Sequence, residues 1–324
     1  MPQIQINAPA KLNLHLEVGA LRPDGFHDIN SLFLALDFCD TLDISVGEGG
    51  SSLALDMRFP AGYPFPDIPH EKNIISRAVS LFRSRTGFDE GLKITVEKRI
   101  PPGGGLGGGS SNAAATLLAL NRLASDGPGG GLGNENLLEM GAALGSDIPF
   151  FLKSAESGKN AAVVGGRGEL VQPFSLPEEV RGLSFVLVNP GFPSDTAKAY
   201  RLLDEYRENG KLGIRNEELA PHSSLLISNS PEKWCFFNDF LPVFEAAAAE
   251  PVPGNSRGAV YREVISGLKA AGAGFAGLSG SGSTCFGVFT SPEEAGKAKE
   301  SFLKQGFCTY ETFPLAYWSI QYYN

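Results

Sequence analysis

Six glycines fall within eleven residues of this chain, in the run Pro101-Pro102-Gly103-Gly104-Gly105-Leu106-Gly107-Gly108-Gly109-Ser110-Ser111. Glycine has no Cβ, so successive amides in such a run can turn inward and approach a ligand closely. The run lies between a strand pattern ending near Lys98 and a helical pattern opening at Ser110. A helix start adds unpaired N–H groups and a partial positive charge, which makes the whole a phosphate cradle. Ser110 and Ser111 can cap the helix, bond a phosphate or coordinate Mg²⁺. Asp147, in Gly145-Ser146-Asp147-Ile148-Pro149, follows a helix end. There a carboxylate can project into a cleft and accept a hydroxyl proton, or simply start a turn before Pro149. Asn13 shares the polar face of a strand with Lys11, two residues away, and can hydrogen-bond an acceptor. Taken alone, Lys11 reads equally well as a solvated surface lysine. Thr196 can contact a substrate or cap the helix that follows it.

Other readings of the glycines compete. Gly103-x-Gly105-x-x-Gly108 fits a dinucleotide fingerprint by letter, but it does not open a βαβ unit. A Walker A loop needs Gly-Lys-Ser/Thr after its glycines, and that tripeptide occurs nowhere in the chain. A flexible linker explains the glycines but not the strand–loop–helix setting.

The elements that must position these residues show in the hydrophobic periodicity. Leu12, Leu14, Leu16 and Val18 alternate with polar residues, which predicts a half-buried strand; Leu42–Val46 and Leu92–Val96 repeat the pattern. Helices are predicted from Ile74 to Phe82, from Ser110 through Leu120, and over 135–144 with Asn134 as N-cap. Residues 183–188 suit a buried strand, 197–208 a helix, 259–271 a helix, 274–278 and 284–289 strands, and 291–304 a helix. The segments 124–134, 209–235 and 249–257 read as irregular. This order, without strict βαβ alternation, argues for an α+β fold. A lobe boundary falls near residue 158, giving units 1–158 and 159–324.

Length and composition limit the alternatives. At 324 residues the chain can bury large cores without staples. A net charge of −9 argues against a nucleic-acid or anionic-membrane binder, so an anionic ligand must be captured locally. The four cysteines form no C-x-x-C pair, which predicts free thiols in a reducing cytosol. The start, MPQIQINAPAKLNLHLEV, lacks the charged and apolar regions of a secretory signal. A bacterial cytoplasmic setting is therefore expected.

PPGGGLGGGSSNAA resembles the second motif of the GHMP kinase family, and GLSGSGSTCFGVF (277–289) resembles its C-terminal glycine motif. APAKLNLHLEVGALRPDGFHDINSLF (8–33), LGSDIPFFL (144–152) and NPGFPSDTAKAY (189–200) are similar to further blocks in the same order, so the resemblance spans nearly the whole chain. It implies a two-lobed fold: an N-terminal nucleotide-binding lobe, a C-terminal sandwich-like α/β lobe, and an active site between them. It implies an ATP- and Mg²⁺-dependent kinase with catalytic Lys11 and Asp147. The 101–111 loop would hold the phosphates, with Asn73 and Lys98 lining the adenine pocket; Asn73 also suits an N-cap.

The D-G-F-H segment is similar to the branch of the family whose acceptor is a cytidine-diphosphate-linked methylerythritol, phosphorylated on its 2-hydroxyl in isoprenoid precursor synthesis. There Phe26 and Phe192 would stack on the base, His27 would hydrogen-bond it, and Asn13 and Thr196 would meet the rest. Another GHMP kinase, acting on homoserine, mevalonate or a sugar, is the alternative, as is a silent nucleotide binder of the same fold. A monomer or weak homodimer is expected, with no nucleic-acid or membrane partner.

Overall fold

The computed structural model describes residues 2–47, 50–60, 68–125, 130–210, 227–249, 257–318 and 320–323. Strands β1 (Gln3–Leu21) and β2 (His27–Gly47) form one long antiparallel hairpin. Its turn closes at Gly25, whose φ of 80° suits a residue without Cβ. Strand β3 (Leu53–Arg58) runs parallel to β4 (Gly91–Glu97), which pairs antiparallel with β2. Helices α1 (Ile74–Thr86), α2 (Gly108–Ser125), α3 (Asn134–Leu144) and α4 (Ile148–Ser157) pack on this sheet and on one another. Strands β5 (Ala161–Gly165) and β6 (Leu170–Phe174) extend the sheet from β2. They follow residue 158 yet pair with the first sheet, and we place the lobe boundary after Phe174 on that ground.

The short helix α5 (Glu178–Arg181) leads into a second sheet. That sheet consists of β7 (Ser184–Asn189), β8 (Phe275–Leu278), β9 (Cys285–Phe289) and β10 (Cys308–Thr312), all antiparallel in the order β10-β7-β9-β8. Helices α6 (Thr196–Glu208), α7 (Phe240–Ala249), α8 (Arg257–Ala270) and α9 (Pro292–Lys304) complete this half. Strand β11 (Ile320–Tyr323) returns to pair with β1. The fold is α+β, as the order of patterns implies. Among the described residues no helix is long and apolar enough to cross a membrane.

Two hydrophobic clusters result. Ile4, Ile6, Leu42, Ile44 and Ile94 meet the helices through Val79, Phe82, Ala114 and Leu117. Leu12, Leu14, Leu32 and Leu34 instead meet Phe185, Leu187 and Phe286 of the second sheet. Strand β1 serves both because its register against β2 shifts between Pro9 and Lys11 and again between Asn13 and His15. The shift after Asn13 is by one residue, which exchanges the two faces of a strand, and the one after Pro9 is by two, with three residues of β2 opposite Ala10. Ala10, Leu12 and Leu14, between the two irregularities, pack in the cluster with the second sheet, while Leu16 and Val18 return to the first cluster. The polar residues predicted to line one solvated face are neither on one face nor solvated: Lys11, Asn13, His15 and Glu17 are all buried, and the shift after Asn13 parts the first two from the last two. The segment around Phe237–Asp239 lies over the strand, exchanging backbone bonds with Leu16.

Local capping explains most helix ends. The Asn73 side chain accepts from the Ile75 amide at 2.9 Å and starts α1. Helix α2 begins at Gly108, two residues before the predicted start, within the glycine run itself. Asn134 does not cap α3: the cap position is Gly133, and the Asn134 side chain instead donates to Glu156. Parts of the three segments expected to be irregular, 126–129, 211–226 and 250–256, lie outside the described residues. The four cysteines are free; Cys39 and Cys285 are buried, and burial pushes both thiols up, Cys39 to about 12.

Leu12 is fully buried between the two sheets. Leu12→Ala is expected to cost about 2–5 kcal/mol in urea unfolding, as for other core leucines. A loss well below that range would mean the two sheets do not share this core.

Candidate active site

The glycine run folds as a loop whose carbonyls point into the protein. Gly103 O accepts from Ser194 N at 2.8 Å, Gly104 O from Thr284 N at 3.1 Å, and Leu106 O from Lys11 N at 2.9 Å. Gly105 O accepts from the Ser279 hydroxyl at 2.9 Å. In a trans peptide the following N–H points opposite to its carbonyl. The amides of Gly105, Leu106 and Gly107 therefore face away from the partners of the carbonyls before them, along the cavity that the loop lines, while the Gly104 amide donates back to Pro101 O at 3.4 Å. Gly105 has φ +75°, and a Cβ there would lie 2.2 Å from Ser279 O. Gly107 has φ +68°, and its Cβ would strike Lys11 Cγ at 2.9 Å. The second glycine motif is therefore the wall against which the first is packed. The start of α2 adds its orphan N–H groups to the same concavity.

Beside the loop lies the charge pair. Lys11 Nζ is 3.2 Å from Asp147 Oδ2 and 2.6 Å from Asn13 Oδ1, and sits 4.6 Å over the Phe33 ring. Lys11 is 4% exposed, so its ammonium must be held by partners. The two register shifts in β1 bracket Lys11 and Asn13 and aim both at the cavity. Asp147 occupies the N-cap position of α4 but makes no capping bond there; its carboxylate is turned to Lys11 instead. Its side chain keeps 28% exposure and faces the cavity. Asn13 also donates to the Ser31 hydroxyl at 3.0 Å, and its amide to Ser279 Oγ at 3.3 Å.

Asp40, fully buried, fixes the entry to the loop. It accepts from the amides of Arg99 at 2.7 Å and Ile100 at 2.9 Å, from Asn112 at 2.9 Å, and from Lys98. Lys98 and Asn73 both line the cavity, and both side chains are engaged in the structure: Lys98 with Asp40 and Asn112, Asn73 with the α1 amide. Leu55, Met57, Phe59, Ile68 and Ile74 supply the apolar wall at this end.

The expected acceptor residues are brought together only in part. The cavity, about 950 Å³, is also lined by Thr196, Tyr200, Phe240 and Arg167. Thr196 does not cap α6. Asp195 does, accepting from Lys198 N at 3.0 Å, and the Thr196 hydroxyl lies 2.9 Å from Ser281 Oγ. Phe192 does not line the cavity; it packs against Tyr261 at 5.9 Å, beneath the Arg257 guanidinium at 5.2 Å. His27 is buried, with Nδ1 3.0 Å from Gly19 O and Nε2 3.3 Å from Asp204, so both ring nitrogens face protein acceptors. Its ring stacks on Tyr200 at 5.0 Å. Phe26 is half exposed, with Arg167 over its face at 4.8 Å.

Tyr200 and Arg167 escaped sequence reasoning. A tyrosine at helical spacing in an amphipathic helix reads as core, and an arginine between glycines reads as a turn. Burial, and next the charge of Asp147, push the Tyr200 phenol up to about 12, so it stays protonated near neutrality.

Comparison with known proteins gives the family. Residues 73–155 match the GHMP kinases N terminal domain and residues 245–307 the GHMP kinases C terminal domain. The 4-diphosphocytidyl-2-C-methyl-D-erythritol kinase of Treponema pallidum is 35% identical, covering 94% of this chain and 96% of that protein. Its counterpart in Geobacter metallireducens is 36% identical over 93% and 94%. A crystal structure of 4-(cytidine 5'-diphospho)-2C-methyl-D-erythritol kinase superposes with a TM-score of 0.72 at 30% identity, over 96% of this chain and 99% of that one. Homoserine kinase from Cytophaga hutchinsonii, at 18% identity and a TM-score of 0.63, shares the fold.

The loop packing predicts opposite effects for two neighbouring glycines. Gly105→Ala should lower stability by about 1–3 kcal/mol, since it needs a left-handed non-glycine residue and a displaced carbonyl. Gly109→Ala, in a helical turn with its nearest would-be neighbour 3.8 Å away, should be neutral or stabilising by up to about 1 kcal/mol. Denaturant midpoints of the two variants check this.

Proposed function

The chain belongs to the 4-diphosphocytidyl-2-C-methyl-D-erythritol kinases of the GHMP kinase family, phosphotransferases with an alcohol group as acceptor, and from that premise we propose how its residues perform the reaction. The γ-phosphoryl group of ATP passes to the 2-hydroxyl of 4-diphosphocytidyl-2-C-methyl-D-erythritol, giving the 2-phosphate and ADP. The observation that carries this reading is the Lys11–Asp147 pair beside a loop with inward-turned amides. Phosphoryl transfer through a loose transition state asks chiefly for positioning and charge stabilisation. Asp147 accepts the hydroxyl hydrogen and orients the attacking oxygen. Lys11 holds the carboxylate in place and offsets negative charge on the transferring oxygens. Asn13 fixes Lys11 and stands ready for the acceptor.

The loop amides and the start of α2 bind the phosphates. Adenine fits the apolar end around Ile68 and Ile74, where Asn73 and Lys98 act by holding α1 and the loop in place. For the metal, Ser110 lines the cavity, and the buried Ser111 hydroxyl has no partner among the described residues. A hydroxyl beside a phosphate cradle fits Mg²⁺, which takes one or two protein oxygens besides phosphate and water; Ser110 would supply it, since Ser111 is fully buried and does not line the cavity. When bound, it neutralises charge on the β- and γ-phosphates.

At the other end we assign the base to Tyr200, which lines the cavity and is backed by the His27 ring, with Phe26 beneath the Arg167 guanidinium as the second ring in place of Phe192. A homoserine, mevalonate or sugar acceptor has no use for that aromatic pair. A silent nucleotide binder has no use for the buried Lys11 and its carboxylate.

Asp147→Asn is expected to bind ATP normally and turn over at least ~10²-fold slower, as ADP release reports. Near-normal turnover removes Asp147 from its role. Phe26→Ala and Tyr200→Ala should each weaken acceptor binding by about 1–3 kcal/mol. In the same titration Phe192→Ala should leave it nearly unchanged; the reverse pattern restores Phe192 to the clamp.

A further inference from the structure

We infer that Arg167 is a specificity-determining residue that binds the acceptor's diphosphate and, in the free enzyme, waits on the Phe26 ring. The inference rests on the acceptor reading above. Arg167 lines the cavity, while Phe26 beneath it does not, and the guanidinium carbon lies 4.8 Å from the ring centroid. The arginine thus covers the ring on which a base would stack.

Its backbone is fixed by a tight turn. The Arg167 amide donates to the Glu169 carboxylate at 2.7 Å, the Gly168 amide to Gly165 O at 3.0 Å, and the Ile29 amide to Gly166 O at 2.8 Å. The turn abuts the catalytic segment: a Cβ on Gly168 would come within 2.6 Å of Ser146 O, the carbonyl just before Asp147. Arg167 therefore stands between the base platform and the carboxylate that receives the hydroxyl. The acceptor has the same order: base, diphosphate, alcohol.

The other cations lining the cavity are committed or distant. Lys11 is paired with Asp147 and Lys98 with Asp40; Lys72 precedes Asn73 at the nucleotide end. Arg167 has no carboxylate at ion-pair distance from its guanidinium among the described residues. A cation–π contact at an exposed site is weaker than a bidentate bond to phosphate. When base and diphosphate arrive together, the base takes the ring and the fork takes the phosphates. A nucleoside without phosphates displaces the arginine and returns nothing to it.

Calorimetric titration of cytidine and of CDP tests this, on wild type, Arg167→Gln and Arg167→Lys, with the nucleotide loop saturated by ADP. Wild type is expected to bind CDP at least about tenfold more tightly than cytidine, and Arg167→Gln to lose most of that gap through weaker CDP binding. Cytidine should bind the Arg167→Gln variant as well as wild type or better, because the ring is uncovered. Arg167→Lys, keeping charge without the fork, should fall between. A gap that persists in Arg167→Gln, or equal weakening of both ligands, overturns the role of Arg167. Failure of wild type to bind either ligand overturns the cytidine-linked acceptor itself, a separate result.

Discussion

Four consecutive carbonyls, from Gly103 to Leu106, are each held by a donor from outside the loop, and the placement of everything else in the site depends on that. A polyanion can be bound by uncharged amides only if they are prevented from turning to other acceptors. Securing each carbonyl secures the amide that follows it. The donors come from β1, from the segment before α6 and from the second glycine motif. Glycine at 105 and 107 is required twice over, for the left-handed backbone and for the close walls. The loop is thus held in shape by its own packing, so an anion bound there would order little of the chain.

Charge is handled with the same economy in a chain of net charge −9. Lys11 and Lys98 line the cavity, and each is buried against a carboxylate. Asp40 is closed off, with amides, Asn112 and Lys98 all donating to it, so it acts as a structural anchor. Asp147 is only partly covered and makes no capping bond for its own helix. That difference separates a carboxylate that holds the loop from one able to meet a substrate.

Much of this was legible in the sequence because it is local. Period-2 alternation marked β1, β2 and β4, helical periodicity marked α1 and α9, and the glycines announced the cradle. Lys11 and Asp147 were assigned through motif resemblance, since each alone reads as an ordinary surface or turn residue. What stayed hidden is non-local. The pairing of β5 with β2, the cover over the polar face of β1 and the engagement of Lys98 by Asp40 depend on partners far away in the chain. The aromatic pair proposed here differs from the expected one for the same reason. Phe192 sits in a conspicuous turn, but the fold turns it toward Tyr261, whereas Tyr200, on a helix face, is the ring that reaches the cavity.

The loop is bonded at once to the hairpin that founds the first sheet and to the elements of the second. A clamshell motion that swung the two halves apart would have to tear this shared seam. Each bond contributes only about 1 kcal/mol, but the three that cross to the second half, from Ser194, Thr284 and Ser279, lie side by side on consecutive residues and would have to yield together. The halves are therefore riveted at their centre. That leaves side chains of the cavity wall, such as Phe59 and Ile68 at one end and Arg167 at the other, as the parts free to adjust without breaking the seam.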